Sequence, residues 1–201
     1  MTSLCLTRNR RQWLPRAIQC FLDQTFPSRE LLILADGDDV RDLVPPDERI
    51  RLLVLEGKPE IGEKRNFGCS RARGEVVAHW DDDDWSAPGR LLDQIERLEA
   101  SGKAVTGYHT IKFTDGKRWW LYPGVPHYAT GTSLCYRKSW WAAHKFPFLQ
   151  IGEDNNFVSD AGVEKQLASA DGREMIAASL HAGNTSRHSM AGYQLLKAEG
   201  V

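Results

Sequence analysis

Val76-Val77-Ala78-His79-Trp80-Asp81-Asp82-Asp83-Asp84-Trp85 is the stretch on which the reading of this chain turns. Residues 76–80 form a nearly continuous apolar run, as expected of a strand buried on both faces of a parallel sheet. Four adjacent carboxylates follow at once. An isolated Asp run is ordinarily a solvated loop capping the next helix, here the one opening near Pro88. This run is bracketed by Trp80 and Trp85, and large apolar side chains are seldom spent on a solvated turn. Mutual repulsion drives some of four such carboxylates toward the neutral acid unless a cation lies among them. Mn2+ or Mg2+, which prefer oxygen ligands, would meet that need.

Outward from this stretch, strands and helices alternate. Residues 3–7, 31–35 and 50–55 read as short buried strands, and Trp13, Leu14, Ala17, Ile18, Phe21 and Leu22 recur on one helical face. Helices are predicted over 63–73, closed by Gly74, and over 88–101, closed by Gly102. The first half is therefore α/β, with a parallel sheet covered on both faces. Beyond Gly102, residues 110–114 and 117–121 flank a two-residue turn at Asp115-Gly116. Strands are expected over 132–137 and 175–180 and short helices over 138–144 and 155–160. The last dozen residues are read as a peripheral helix. The whole chain, 1–201, reads as one domain.

Basic and acidic side chains nearly cancel, 26 against 27, for a formal charge of −1. That balance excludes a generic nucleic-acid binder, which needs a basic surface. The acid is unevenly spread: nine of the 27 acidic residues lie in residues 36–39, 81–84 and 153–154. Two of these segments follow predicted strands, where open α/β sheets bind their ligands. No stretch approaches 18 apolar residues and the apolar core near Met1 is too short for a signal peptide, so a cytoplasmic protein is expected. Cys5, Cys20, Cys69 and Cys135 have no metal or dithiol spacing and read as buried thiols.

Thr7-Arg8-Asn9-Arg10 after the first strand, Ala35-Asp36-Gly37 after the second and Gly62-Glu63-Lys64-Arg65-Asn66 opening a helix precede the Asp run, and Gly152-Glu153-Asp154 follows it. In order and spacing this series resembles the family 2 glycosyltransferases of the GT-A fold, a Rossmann-like mixed sheet flanked by helices, across residues 2–185. The resemblance implies a nucleotide-diphospho-sugar donor, commonly of UDP, a bound Mn2+ or Mg2+, and transfer with inversion at the anomeric carbon. Residues 1–102 would then be the nucleotide-sugar half and 103–201 the acceptor-side half. Carried over, it places Thr7 and Asn9 beside the nucleotide, Asp36 on the base N–H and Arg65 on the base carbonyl or a phosphate. Asp81 would bind ribose or metal, with Asp82 among the nucleotide-binding residues, and Asp83 would hold the metal. His181 resembles the family's C-terminal histidine that completes the metal site, with His188 in competition and Arg187 near phosphate. Gly131-Thr132-Ser133 resembles the segment beneath the donor sugar. The family often carries a carboxylate where this chain has Ala35, which bears on the identity of the base.

The chemistry of such a transfer needs a cation on the leaving diphosphate and a carboxylate or histidine to take the acceptor proton. Asp154 is the candidate base and Glu153 the alternative, while a helix N-cap is the plainer reading of Asp154. Lys58, Lys64 and Arg71 are expected to have solvated heads. Trp119, Trp120, Trp140, Trp141 and Tyr128 are available to stack on sugar rings, although aromatics are more often core; on a hairpin strand one of Trp119 and Trp120 should be buried and the other free. The expected partners are the donor and a carbohydrate or other hydroxyl-bearing acceptor, with an acceptor pocket that is open or completed by a second copy in a homo-oligomer. Two other classes compete: a sugar-phosphate nucleotidyltransferase, whose usual Gly-rich phosphate loop is missing from residues 7–11, and a catalytically silent carbohydrate-binding protein.

Overall fold

The apolar runs of the first half become a four-stranded parallel sheet. Strand β1 (Thr2–Thr7) pairs with β2 (Glu30–Ala35), β2 pairs with β3 (Ile50–Val54), and β4 (Val76–His79) flanks β1 on its other side. Every residue of β2 is buried because helices cover both faces. Alternation along the strand sends Leu31 and Ile33 toward Leu14, Ile18 and Phe21 of helix α1 (Leu14–Leu22). Leu32 and Leu34 face the opposite layer, with Cys69 of α2 (Ile61–Arg71). Phe21 is wholly buried, which contributes about 1.5–3 kcal/mol. Helix α2 starts two residues before its predicted position because Glu60 and Glu63 form a reciprocal capping box.

The second half joins the sheet in both directions. After β5 (Trp85–Ser86) and α3 (Arg90–Ser101), the long strand β6 (Val105–Thr114) returns antiparallel to β7 (Trp119–Tyr122). Strand β8 (Cys135–Arg137) is antiparallel to both β4 and β6, so the sheet is mixed. Helices α4 (Lys138–Ala143) and α5 (Glu153–Val163) precede β9 (Leu167–Asp171) and β10 (Ile176–Ser179), and β11 (Gln194–Leu196) closes the edge. The strand order is β11-β7-β6-β8-β4-β1-β2-β3, with β9 and β10 parallel to β6 and β5 paired to β10. The computed structural model describes residues 1–186 and 190–196, the side chain of Val163 excepted.

Three local expectations change. The hairpin loop has four residues, because the Asp115 carboxylate accepts the N–H groups of Lys117 and Arg118 and widens the turn. The strand expected over 132–137 is shortened to Cys135–Arg137, because Gly131–Ser133 form a 3-10 turn. In place of the peripheral helix at the end of the chain, Gln194–Leu196 pairs with β7; residues 197–201 lie outside the described ones. All four cysteines are buried free thiols. Among the described residues no helix is long and apolar enough to cross a membrane.

Candidate active site

At the carboxyl ends of β1 and β4 the chain surrounds a cleft of about 550 Å3, within the size range of small-molecule sites. Of the residues singled out in the sequence, Thr7, Arg65, Asp81, Asp82, Asp83, Gly131, Glu153 and Asp154 line it. Asn9, Asp36 and His181 are not among its lining residues. His188 and Arg187 lie outside the described residues.

The four aspartates diverge in environment. Asp84 turns into the protein, accepting the Thr132 hydroxyl at 2.7 Å and the Ser179 N–H at 2.9 Å. Asp82 and Asp83 share one partner, Arg10, whose Nη1 donates to Asp82 Oδ1 and to Asp83 Oδ2, both at 2.9 Å. Asp83 Oδ2 also meets His181 Nε2 at 2.9 Å and accepts from Asn184 at 3.3 Å. Burial pushes the Asp82 carboxyl up to about 6, with Asp83 adding to it and Arg10 and the Thr7 hydroxyl opposing. Burial and Asp81 raise Asp83 as well, against the pull of Arg10 and His181. Asp84 is raised well above the usual range, by burial first and then by Asp81 and Asp83. The cluster thus carries more acid than its own cations neutralise.

The scaffold below is polar and closed. Arg90, 1% exposed, donates to the carbonyls of His79 and Thr132 and to Ser86 Oγ, tying β4 and the 3-10 turn to helix α3. His79 is wholly buried, and burial together with the nearby Arg65 holds its imidazole neutral, well below the usual range. Its Nδ1 lies 2.7 Å from the Gly131 carbonyl. Pairing of β5 with β10 brings Ser179, and after it the His181 turn, beside Asp83.

The facing wall is the start of α5. Gly152, at φ 85°, is the N-cap residue, so Glu153 and Asp154 occupy the first turn and Asp154 is not the cap. Negative charge there is favoured by the helix dipole. Glu153 is buried and takes Arg65 Nε at 2.9 Å. Arg65 therefore anchors α5 to α2 through its Nε while its side chain lines the cleft, where the resemblance places it on a base carbonyl or phosphate. Asp154 stays open to the cleft and packs against Gly131: a Cβ at Gly131 would collide with its Oδ2. Gly131→Ala is therefore expected to displace the Asp154 carboxylate and lower turnover by about 10²-fold. The overpacking should destabilise the fold by only about 1–3 kcal/mol. Steady-state kinetics beside a urea melt check this; full turnover would show that the carboxylate is not held where it is needed.

Beyond the carboxyl end of β2, Asp36 is 1% exposed and binds Lys64 Nζ at 2.6 Å, with Arg8 at 3.6 Å. Lys64, expected to be solvated, is buried instead, because helix α2 crosses the end of β2 and turns Lys64 onto Asp36. Lys58 and Arg71 are exposed as expected. Asn9 has a positive φ of 54° and accepts the Asp38 N–H at 3.2 Å, holding the β1 and β2 loops together. No tryptophan lines the cleft. Trp140 and Trp141 are core, and of the hairpin pair Trp119 is exposed while Trp120 packs inward. The aromatic lining comes from Phe113, Tyr122, Tyr128 and Tyr193. Sequence reasoning gave Arg10, Lys64 and Asn184 no role; the first two carry only the signal of cations adjacent to motif residues.

The sequence matches the profile of the family described as "Glycosyl transferase family 2" over residues 5–158. The chain belongs to that family. Among curated relatives, the succinoglycan biosynthesis protein ExoO of Rhizobium meliloti is 34% identical over 109 residues, 52% of this chain and 31% of that protein. The putative teichuronic acid biosynthesis glycosyltransferase TuaG of Bacillus subtilis is 32% identical over 108 residues, 50% of this chain and 43% of that protein. The chain thus spans less than half the length of these relatives. Among solved structures, S. aureus TarS 1-349 in complex with UDP-GlcNAc superposes with a TM-score of 0.74 at 19% identity, covering 92% of this chain and 59% of that one. The mannosyltransferase PcManGT from Pyrobaculum calidifontis, in complex with GDP-Man and Mn2+, gives 0.71 at 12% identity, covering 92% and 58%. The fold is GT-A: a mixed sheet flanked by helices.

Proposed function

We propose that this chain transfers a sugar from a nucleotide-diphospho-sugar to an acceptor hydroxyl, with a divalent cation at the Asp run and inversion at the anomeric carbon. One observation carries this reading: a surplus of buried carboxylate on one wall of the cleft faces a solvent-accessible carboxylate, Asp154, on the other. The two walls correspond to the two charges that a displacement at a sugar carbon creates.

The donor set fits Mn2+ or Mg2+. Asp83, Asp81 and the His181 imidazole supply oxygen and nitrogen ligands suited to such ions. Among the described residues no three His, Cys, Asp or Glu side chains form a finished metal cage. The proposed cation would therefore be held by one or two of these groups, with phosphate oxygens of the donor completing its ligands. Bound there, the cation would stabilise the charge that develops on the leaving diphosphate.

The remaining steps belong to the chain's own groups. Thr7 and Asn9 are assigned to the nucleoside, and Asp36, fixed by Lys64, to the base, with uracil preferred. Gly131, with no side chain, lets the Asp154 carboxylate lie against the 3-10 turn beneath the place assigned to the sugar. Asp154 takes the proton of the attacking hydroxyl from the face opposite the diphosphate, which gives inversion in a single displacement. Glu153, engaged by Arg65, positions the helix that carries Asp154. The relatives named for succinoglycan and teichuronic acid biosynthesis support a carbohydrate acceptor. The neighbours solved with UDP-GlcNAc and with GDP-Man and Mn2+ support the donor class.

Thermal unfolding tests the reading. UDP with Mn2+ at about a hundred times its Kd should raise the midpoint by roughly 5–10 °C. The shift should vanish in EDTA and in Asp83→Asn, and GDP should give less. An equal shift in EDTA would remove the cation from the proposal.

A further inference from the structure

Arg10 is the side chain that the assignments above leave without a task, and it sits at the centre of the acid cluster. Its side chain is 19% exposed. Among the described residues it is the only lysine or arginine in an ion pair with any of the four aspartates. One nitrogen bridges Asp82 and Asp83, and the other donates to the Gly183 carbonyl at 2.5 Å and reaches Thr185 Oγ1 at 3.4 Å. Trp13, from the same connection between β1 and α1, stacks on the His181 ring at 4.7 Å and 19°. The connection therefore grips both Asp83 and the turn that brings His181 to it.

We propose that Arg10 is an internal counter-cation of the carboxylate pair, which makes the site admit a divalent cation only together with a diphosphate. The proposal rests on the metal-dependent reading above. A guanidinium within hydrogen-bond distance of Asp82 and Asp83 already supplies positive charge to the oxygens a metal ion would use. A bare divalent cation must either share that space with a like charge in a partly buried site or displace Arg10 with nothing else for it to bind. A nucleoside diphosphate changes the balance. Its phosphate oxygens offer the planar guanidinium a bidentate partner, so Asp82 and Asp83 are released when the cation and the diphosphate arrive together. A purely structural Arg10, holding the 183–185 turn in place, would have no such effect on the affinity for metal alone.

The test compares the full chain with Arg10→Gln and Arg10→Lys. Free Mn2+ is followed by electron paramagnetic resonance without nucleotide, and UDP binding by calorimetry at saturating Mn2+. Arg10→Gln is expected to bind Mn2+ alone about tenfold tighter or more than the parent chain, and Mn2+ with UDP about tenfold weaker. Arg10→Lys keeps the charge and should bind bare Mn2+ as weakly as the parent; should the Gln variant fail to fold, tight binding of bare Mn2+ by the Lys variant overturns the proposal. Equal or weaker binding of bare Mn2+ by a folded Gln variant, in a protein whose UDP binding does require Mn2+, overturns the role of Arg10 and leaves the glycosyltransferase reading standing. UDP binding by the parent chain that is indifferent to Mn2+ overturns the role of Arg10 and removes the cation from the proposed function, while leaving the sugar transfer itself standing.

Discussion

Asp154→Asn is expected to lower sugar transfer by about 10²–10⁴-fold, the range that a general base contributes. Asparagine is nearly isosteric with aspartate and keeps the packing against Gly131 and the place in the first turn of α5. What it loses is the basic oxygen. Binding of UDP and Mn2+, measured by calorimetry, should therefore stay close to that of the parent chain, because the carboxylate cluster across the cleft is untouched. Turnover near the parent rate would remove Asp154 as the base. Glu153 is a poor substitute, since Arg65 occupies its carboxylate and both are buried.

That same pair gives the largest expected effect on stability. In Arg65→Met the Glu153 carboxylate remains buried with no cation, and breaking a buried pair in this way costs about 3–5 kcal/mol. The double variant Arg65→Met/Glu153→Leu should recover much of the loss, because it leaves no orphaned charge. Burial already raises Glu153 above the usual carboxylate range, and loss of Arg65 removes the opposing pull. A folded-state value above the unfolded one means that the destabilisation is present at neutral pH and is relieved as acid protonates Glu153. Urea melts of the single variant should accordingly show a smaller deficit toward pH 5 than at pH 7. A deficit that is independent of pH, or a double variant no better than the single one, would show that the loss comes from the Arg65 guanidinium over the Phe146 ring and not from the ion pair with Glu153.

The sequence alone determined the alternation of strands and helices in the first half of the chain and the place of its acidic segments at strand ends. Apolar runs ending in carboxylates placed Asp36 and residues 81–84 at strand ends, and a parallel sheet places its strand ends along one rim. These are local signals, readable because hydrophobic period and turn chemistry act over a few residues. The family resemblance rested on the same segments, and the profile match over residues 5–158 bears it out. The late part of the chain was read less well: its short strands depend on pairing partners far away, so Gln194–Leu196 became a strand on β7 where a helix was expected.

Only the tertiary structure decided which charged groups meet. Lys64 and Arg65 are adjacent in sequence and were given opposite fates, one solvated and one free for ligand. Both are buried, one on Asp36 across 28 residues and the other on Glu153 across 88. The four aspartates look equivalent as a string, yet Asp84 is consumed by Thr132 and Ser179 while Asp82 and Asp83 share Arg10 from 72 and 73 residues away. Ion pairing inside a protein depends on distance and burial after folding, and neither is encoded in the spacing of residues along the chain. The sequence thus showed where charge would collect; the fold decided which carboxylates are neutralised from within and which face the cleft.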